Sequence, residues 1–114
     1  MIADAQRIGE ALQALAEPLR LRALLLLASR EQTAGELAAV LGVRPSLLSY
    51  HLAALREAGL AICHTDEVDR RVRRYSANQA ALTQLGRALL TLGAENAAPA
   101  DQSPPQLDEL LADM

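Results

Sequence analysis

Two segments of helical periodicity are separated by only three residues, Gly42-Val43-Arg44, and this short junction constrains the fold more than any other feature. The first segment opens at Thr33, a good N-cap, with Glu36 three residues later in capping-box spacing. It runs to Leu41 and is expected to bury Leu37, Val40 and Leu41. Gly42 then offers the left-handed backbone that ends a helix. Pro45 suits the first turn of the next helix, where its missing N–H costs nothing and its φ is preset. That helix extends to about Ala58, and Gly59 closes it.

The flanks read as follows. Ile8, Leu12 and Leu15, with Ala5 and Ala11 alongside, recur at helical spacing and give a first helix of about residues 2–16. Glu17-Pro18 breaks it. A second helix, residues 19–29, is apolar nearly all round at Leu24-Leu25-Leu26-Leu27, so it is expected at the centre, packed on several sides. After Gly59 the period changes. Residues 60–65 and 71–77 read as strands around a polar turn at 66–70, a β-hairpin without Asn-Gly or Asp-Gly at its tip. Asn78 caps a fifth helix to about Glu95, with Leu82, Leu85, Leu89 and Leu92 in a narrow seam. Residues 97–105 form a linker by composition, and Leu107, Leu110, Leu111 and Met114 align in a short amphipathic turn. The expected architecture is mainly α. It is a winged helix-turn-helix of five helices plus a two-stranded β-hairpin wing over residues 1–97, with an acidic, Pro-containing tail at 98–114.

Composition supports packed helices. Hydrophobic residues make up 51% of the 114-residue chain and aromatics only 2%, so the core must be Leu, Ala, Val and Ile. Small aliphatic cores gain apolar burial by dimerising. The net charge is -3, but four acids lie beyond residue 98, leaving eleven arginines against ten acids before it. Arg70, Arg71, Arg73 and Arg74 fall within five positions, and no basic residue is Lys. Arginine suits bidentate contacts to phosphate and guanine. The longest apolar run, residues 23–28, is too short to span a bilayer, and no signal pattern opens the chain. The expectation is a soluble, cytoplasmic protein. The lone Cys63 fits a reducing compartment.

On the fourth helix Leu48, Leu52 and Leu55 point inward, which turns Ser46, Ser49, Tyr50 and Ala53 outward together. Such a face, short and hydrogen-bonding, is what a recognition helix offers to base edges in the major groove. Leu47 can touch a thymine methyl. The Arg-rich hairpin follows directly and would lie along the adjacent backbone or minor groove. Double-stranded DNA is therefore the expected partner. The expected contacts are Arg44, Pro45, Ser46, Leu47, Ser49 and Tyr50 from the helix and Arg70, Arg71, Arg73 and Arg74 from the wing. A helix pair with a Gly turn is common in plain structural bundles. The order of pieces, with a basic hairpin and a leucine-seamed helix after the pair, favours DNA binding. No phosphate loop, nucleophile set or metal cluster points to an enzyme, and no cofactor is expected.

The stretches Leu15-Ala16-Glu17-Pro18-Leu19-Arg20-Leu21-Arg22, Gly35-Glu36-Leu37-Ala38, Ser49-Tyr50-His51-Leu52 and Leu55-Arg56-Glu57-Ala58-Gly59-Leu60 resemble the arsenic-repressor-type (ArsR/SmtB) winged-helix regulators. The likeness covers about residues 12–77. It implies a homodimer on a palindromic operator, usually a repressor released by an inducer. It also implies a dimer interface from the first and fifth helices, here Ile8, Leu12, Leu82, Leu85, Leu89 and Leu92. Two positions depart from the family pattern: Arg44 stands where a Ser often caps the helix, and Tyr50 where a basic residue often precedes the histidine.

Many relatives hold metal through a Cys-x-Cys pair at the third helix or through His and Asp on the fifth. The matching positions here are Thr33 and Gly35, and the fifth helix has no His or Cys. No metal site is therefore expected at either place. Cys63 and His64 are neighbours on a strand and point to opposite faces, so they chelate poorly. His51 matches a family position that is generally structural. Two alternatives stay open at this point: a thiol-redox-responsive repressor acting through Cys63, and a winged-helix module that docks proteins or dimerises without reading DNA. The inducer is not legible in the sequence.

Overall fold

A computed structural model describes residues 2–95 and, beyond them, Ala112. The linker and tail expected at residues 98–114 lie outside the described residues, Ala112 excepted. In chain order the elements are α1 (Ile2–Leu15), α2 (Pro18–Ser29), β1 (Gln32–Thr33), α3 (Ala34–Leu41), α4 (Pro45–Glu57), β2 (Ala61–Thr65), β3 (Arg73–Ala77) and α5 (Gln79–Glu95).

Local chemistry sets the boundaries. Glu17 ends the α1–α2 junction in extended backbone, and its carboxylate accepts the Arg20 N–H at 2.9 Å while Pro18 opens α2. Thr33 Oγ1 accepts the Glu36 N–H at 3.1 Å and lies 3.2 Å from the Glu36 carboxylate. The capping box thus closes side chain to side chain. Gly42 (φ 68) and Gly59 (φ 77) take the left-handed conformation after α3 and α4. Asn78 Oδ1 accepts the Ala81 N–H at 3.2 Å, and its amide donates to the Gly59 carbonyl at 2.8 Å. One side chain therefore starts α5 and ties it to the end of α4.

The sheet has three antiparallel strands in the order β1-β3-β2, where the sequence led us to expect a two-stranded hairpin. The third strand is only Gln32–Thr33, pairing with Tyr75 and Arg74, too short to show an alternating pattern. Gln32 is nevertheless buried, with its amide 3.4 Å from the Leu26 carbonyl. β2 and β3 pair in register from Ala61↔Ala77 to Thr65↔Arg73. The loop between them is built on aspartate side chains instead of Asn-Gly. Asp66 accepts the N–H groups of Val68 at 3.0 Å and Asp69 at 2.9 Å, and Asp69 accepts that of Arg71 at 3.1 Å.

The core is aliphatic. Leu37, Leu48, Leu52, Leu55 and Leu60 are its largest fully enclosed side chains, joined by Ala23, Leu24 and Leu27 of α2. One expected burial needs correction. Val40 is 61% exposed and Ala38 is buried in its place, because Val40 falls roughly 100° round the helix from the Leu37–Ala38–Leu41 stripe. α2 packs against α1, α3, α4 and β3, as a central helix should, but it is not covered all round: Leu21 and Leu25 are exposed while Leu24 and Leu27 are buried.

Candidate nucleic-acid interface

The axes of α3 and α4 turn by 113° across the junction at residues 42–44. That lies within the range of a helix-turn-helix. α4 is anchored from beneath by Leu48, Leu52 and Leu55, each 0–1% exposed. Its opposite side carries Ser46, Leu47, Ser49, Tyr50 and Ala53, all exposed, with Arg44 and Pro45 exposed at its start. Arg44 makes no side-chain cap, so the leading N–H groups of α4 have no side-chain acceptor. Such groups are satisfied by water or by an anion such as phosphate.

The arginine cluster, uniform in sequence, is divided in space. Arg70 and Arg73 are exposed and have no ion-pair partner among the described residues. Arg71 meets Asp69 at 3.1 Å while its side chain stays 90% exposed. Arg74 is engaged. Its Nε donates to Asp66 Oδ1 at 2.8 Å, with Glu36 at 3.9 Å and Glu31 at 4.0 Å. This contact holds the Asp66 carboxyl below its ordinary range and raises Arg74 further above its own. Asp69 is likewise lowered, first by the Arg71 side chain. Glu31 also meets His64 at 3.1 Å, and Glu36 meets Arg30 at 3.5 Å. The base of the wing is thus laced to residues 31–36 by side-chain contacts. Pairing distances of this kind cannot be read from a linear sequence. The aspartate eight positions before Arg74, across a hairpin, was the available signal.

His51 is enclosed, 7% exposed, against α2. Its Nδ1 accepts from Arg20 Nε at 3.0 Å and lies 4.0 Å from Glu17. Glu17 and Arg20 lie in one stretch, residues 15–22, but nothing in the linear order of residues brings that stretch to His51. Cys63 is half-buried opposite Tyr75, and His64 opposite Arg74. Burial first, and the neighbouring thiol second, raise the Tyr75 hydroxyl above its usual value. Adjacent strand residues face opposite ways, so Cys63 and His64 do not converge.

At the two places where the family resemblance implies metal ligands, the chain carries other residues. Thr33 is occupied as the α3 cap, Gly35 has no side chain, and α5 offers neither His nor Cys. Among the described residues no three His, Cys, Asp or Glu side chains gather as ligands. Of the expected dimer residues, Ile8, Leu82 and Leu85 are half-buried, and Leu12, Leu89 and Leu92 are 42%, 41% and 58% exposed on α1 and α5. Leu90, outside the seam, is more exposed still, at 75%. No single helix among the described residues is long and apolar enough to cross a membrane.

Comparison with known proteins agrees with this geometry. Residues 17–62 match the model of the bacterial regulatory protein family named arsR. An ArsR-like transcriptional regulator from Rhodococcus sp. RHA1 is 30% identical, with 82% of this chain and 85% of that one covered and a TM-score of 0.73. A possible transcriptional regulator for arsenical resistance is 34% identical over 92% of this chain and 96% of the other, with a TM-score of 0.65. A homodimeric winged helix-turn-helix DNA-binding domain from Mycobacterium bovis shares the fold at 23% identity, covering 85% and 87% with a TM-score of 0.65. Comparison with the curated proteins returns no match. An apolar row locking α4 beneath an exposed polar face, a basic three-stranded wing and these likenesses lead to one conclusion: the chain belongs to the ArsR family of DNA-binding, winged helix-turn-helix transcriptional regulators.

Proposed function

We propose that this chain is a repressor that binds a palindromic operator as a homodimer and is released by an inducer. The observation that carries the reading is the outward face of α4, where Ser46, Leu47, Ser49 and Tyr50 are exposed above a fully enclosed leucine row. Hydroxyl groups and a methyl-bearing side chain read base edges in the major groove, and an anchored helix holds them to one register. Arg44, Arg70, Arg71 and Arg73 supply phosphate contacts. Arg74, expected from sequence to join them, works from behind by fixing the wing through Asp66. The domain unit is residues 1–97, with 98–114 a tail whose removal should change operator affinity little.

The dimer reading is supported by α1 and α5, which bring Leu12, Leu89 and Leu92 to the surface on two neighbouring helices. The Mycobacterium bovis relative is described as homodimeric. A two-fold pair places two copies of α4 on successive major grooves, which requires a two-fold-symmetric site. The inducer acts without the family's metal ligands, since Thr33 and Gly35 stand at their positions. This role places the chain in the cytoplasm with its DNA.

Selection of genomic fragments by the purified protein tests the reading. The expected result is a palindromic site, with Ser49→Ala or Tyr50→Phe altering its preferred bases. Failure to enrich any sequence at low salt would overturn it.

A further inference from the structure

A side chain on another helix reaches two neighbouring rings of α4. Arg20 occupies the first turn of α2, with its own N–H held by Glu17 at 2.9 Å. From there its Nε donates to His51 Nδ1 at 3.0 Å. Its guanidinium carbon is also 5.9 Å from the centre of the Tyr50 ring. The Tyr50 and His51 rings meet edge to face, with centres 5.2 Å apart at 72°. His51 is 7% exposed and Tyr50 64%. One planar cation therefore bonds a ring inside the protein and lies over a ring on the exposed face of α4.

We infer that Arg20 is a positioning residue for operator readout, fixing Tyr50 on α4 directly and through His51. The inference rests on the DNA-reading role of α4 proposed above. An exposed tyrosine on a helix samples more than one rotamer. A cation over the ring and an edge-to-face contact with the imidazole favour a single one. The imidazole is fixed in turn. A donor at Nδ1 requires the lone pair there, so the ring hydrogen sits on Nε2. Glu17 accepts the Arg20 backbone N–H and so fixes the start of α2 from which the guanidinium reaches, and its carboxylate lies 4.0 Å from the same Nδ1. Base discrimination by a hydroxyl needs that hydroxyl held in place, and here the hold comes from α2.

The test uses the full chain and its selected operator. Arg20→Gln and Arg20→Lys are compared with wild type for affinity to the operator and to operators altered at the bases that Tyr50→Ala relaxes. The slope of affinity against salt and the nitrogen NMR shifts of the His51 ring are recorded on the same samples. Loss of one positioned hydrogen bond should lower discrimination by about fivefold in both variants, with the salt slope unchanged. In a Tyr50→Ala background the Arg20 substitutions should add nothing further, and the His51 ring should leave its single Nε2–H form in Arg20→Gln. Unchanged discrimination in correctly folded Arg20→Lys would overturn the inference. So would a salt slope shallower by about 1.8 per dimer, the mark of a direct phosphate contact from each subunit, or an equal loss in the Tyr50→Ala background. A wild-type chain with no sequence preference would instead refute the reading of α4 itself, and this inference with it.

Discussion

Removing Arg73 and removing Arg74 should have different consequences, although the two are adjacent in sequence. Arg73 is exposed with no ion-pair partner among the described residues, whereas Arg74 Nε is 2.8 Å from Asp66. A phosphate contact releases condensed counterions, about 0.9 per contact on duplex DNA. A homodimer presents two wings, so Arg73→Ala should make the slope of log affinity against log salt shallower by about 1.8. Over a fourfold rise in salt, the variant should therefore lose about twelvefold less affinity than wild type. Arg74→Ala removes no free cation. It should leave the slope within about half a unit of wild type, while loosening the wing and lowering affinity at every salt concentration. Fluorescence anisotropy on the selected operator between low and moderate salt measures both. Equal slope changes for Arg73→Ala and Arg74→Ala would refute the division of the cluster.

Further expectations follow from the same contacts. Leu52→Ala, at a site 1% exposed beneath the recognition face, should cost about 3 kcal/mol in urea unfolding. Gly42→Ala forces a β-carbon into the left-handed conformation at φ 68 and should cost about 1 kcal/mol by the same assay. Leu89→Glu should convert the dimer to monomer in sedimentation, with operator affinity lost in step. The Arg74 side chain holds the folded Asp66 carboxyl below the ordinary aspartate value. Its contribution is therefore present above that value and lost as pH falls through the lower, folded one. The melting-temperature difference between wild type and Asp66→Asn should be constant near neutral pH and vanish in acid below that point.

What was legible in the sequence was the local part. Thr33, Gly42, Pro45, Gly59 and Asn78 each carry a backbone instruction that works within a few residues, and each marks an observed boundary. The leucine row of α4 was equally readable, because Leu48, Leu52 and Leu55 leave one face for Ser46, Ser49 and Tyr50. The remainder depends on partners distant in sequence. β1 exists because Gln32 meets Tyr75, and two residues carry no period of their own. Arg74 differs from Arg73 because the hairpin brings Asp66 back beside it. His51 is enclosed because Arg20, thirty-one positions earlier, reaches it from α2. α2 has the several neighbours that its apolar composition implies, but composition alone does not say which flank stays open, here Leu21 and Leu25.

The central claim is that the α4 face reads DNA sequence while the wing grips its backbone. Competition binding of wild type, Ser49→Ala and Arg73→Ala against the selected operator and a scrambled duplex, each across a salt series, tests it most directly. Wild type should prefer the operator with a steep salt dependence. Ser49→Ala should alter the preference at an unchanged slope, and Arg73→Ala should weaken both duplexes alike with a shallower one. Equal affinity of wild type for operator and scrambled duplex, or affinity indifferent to salt, would contradict it.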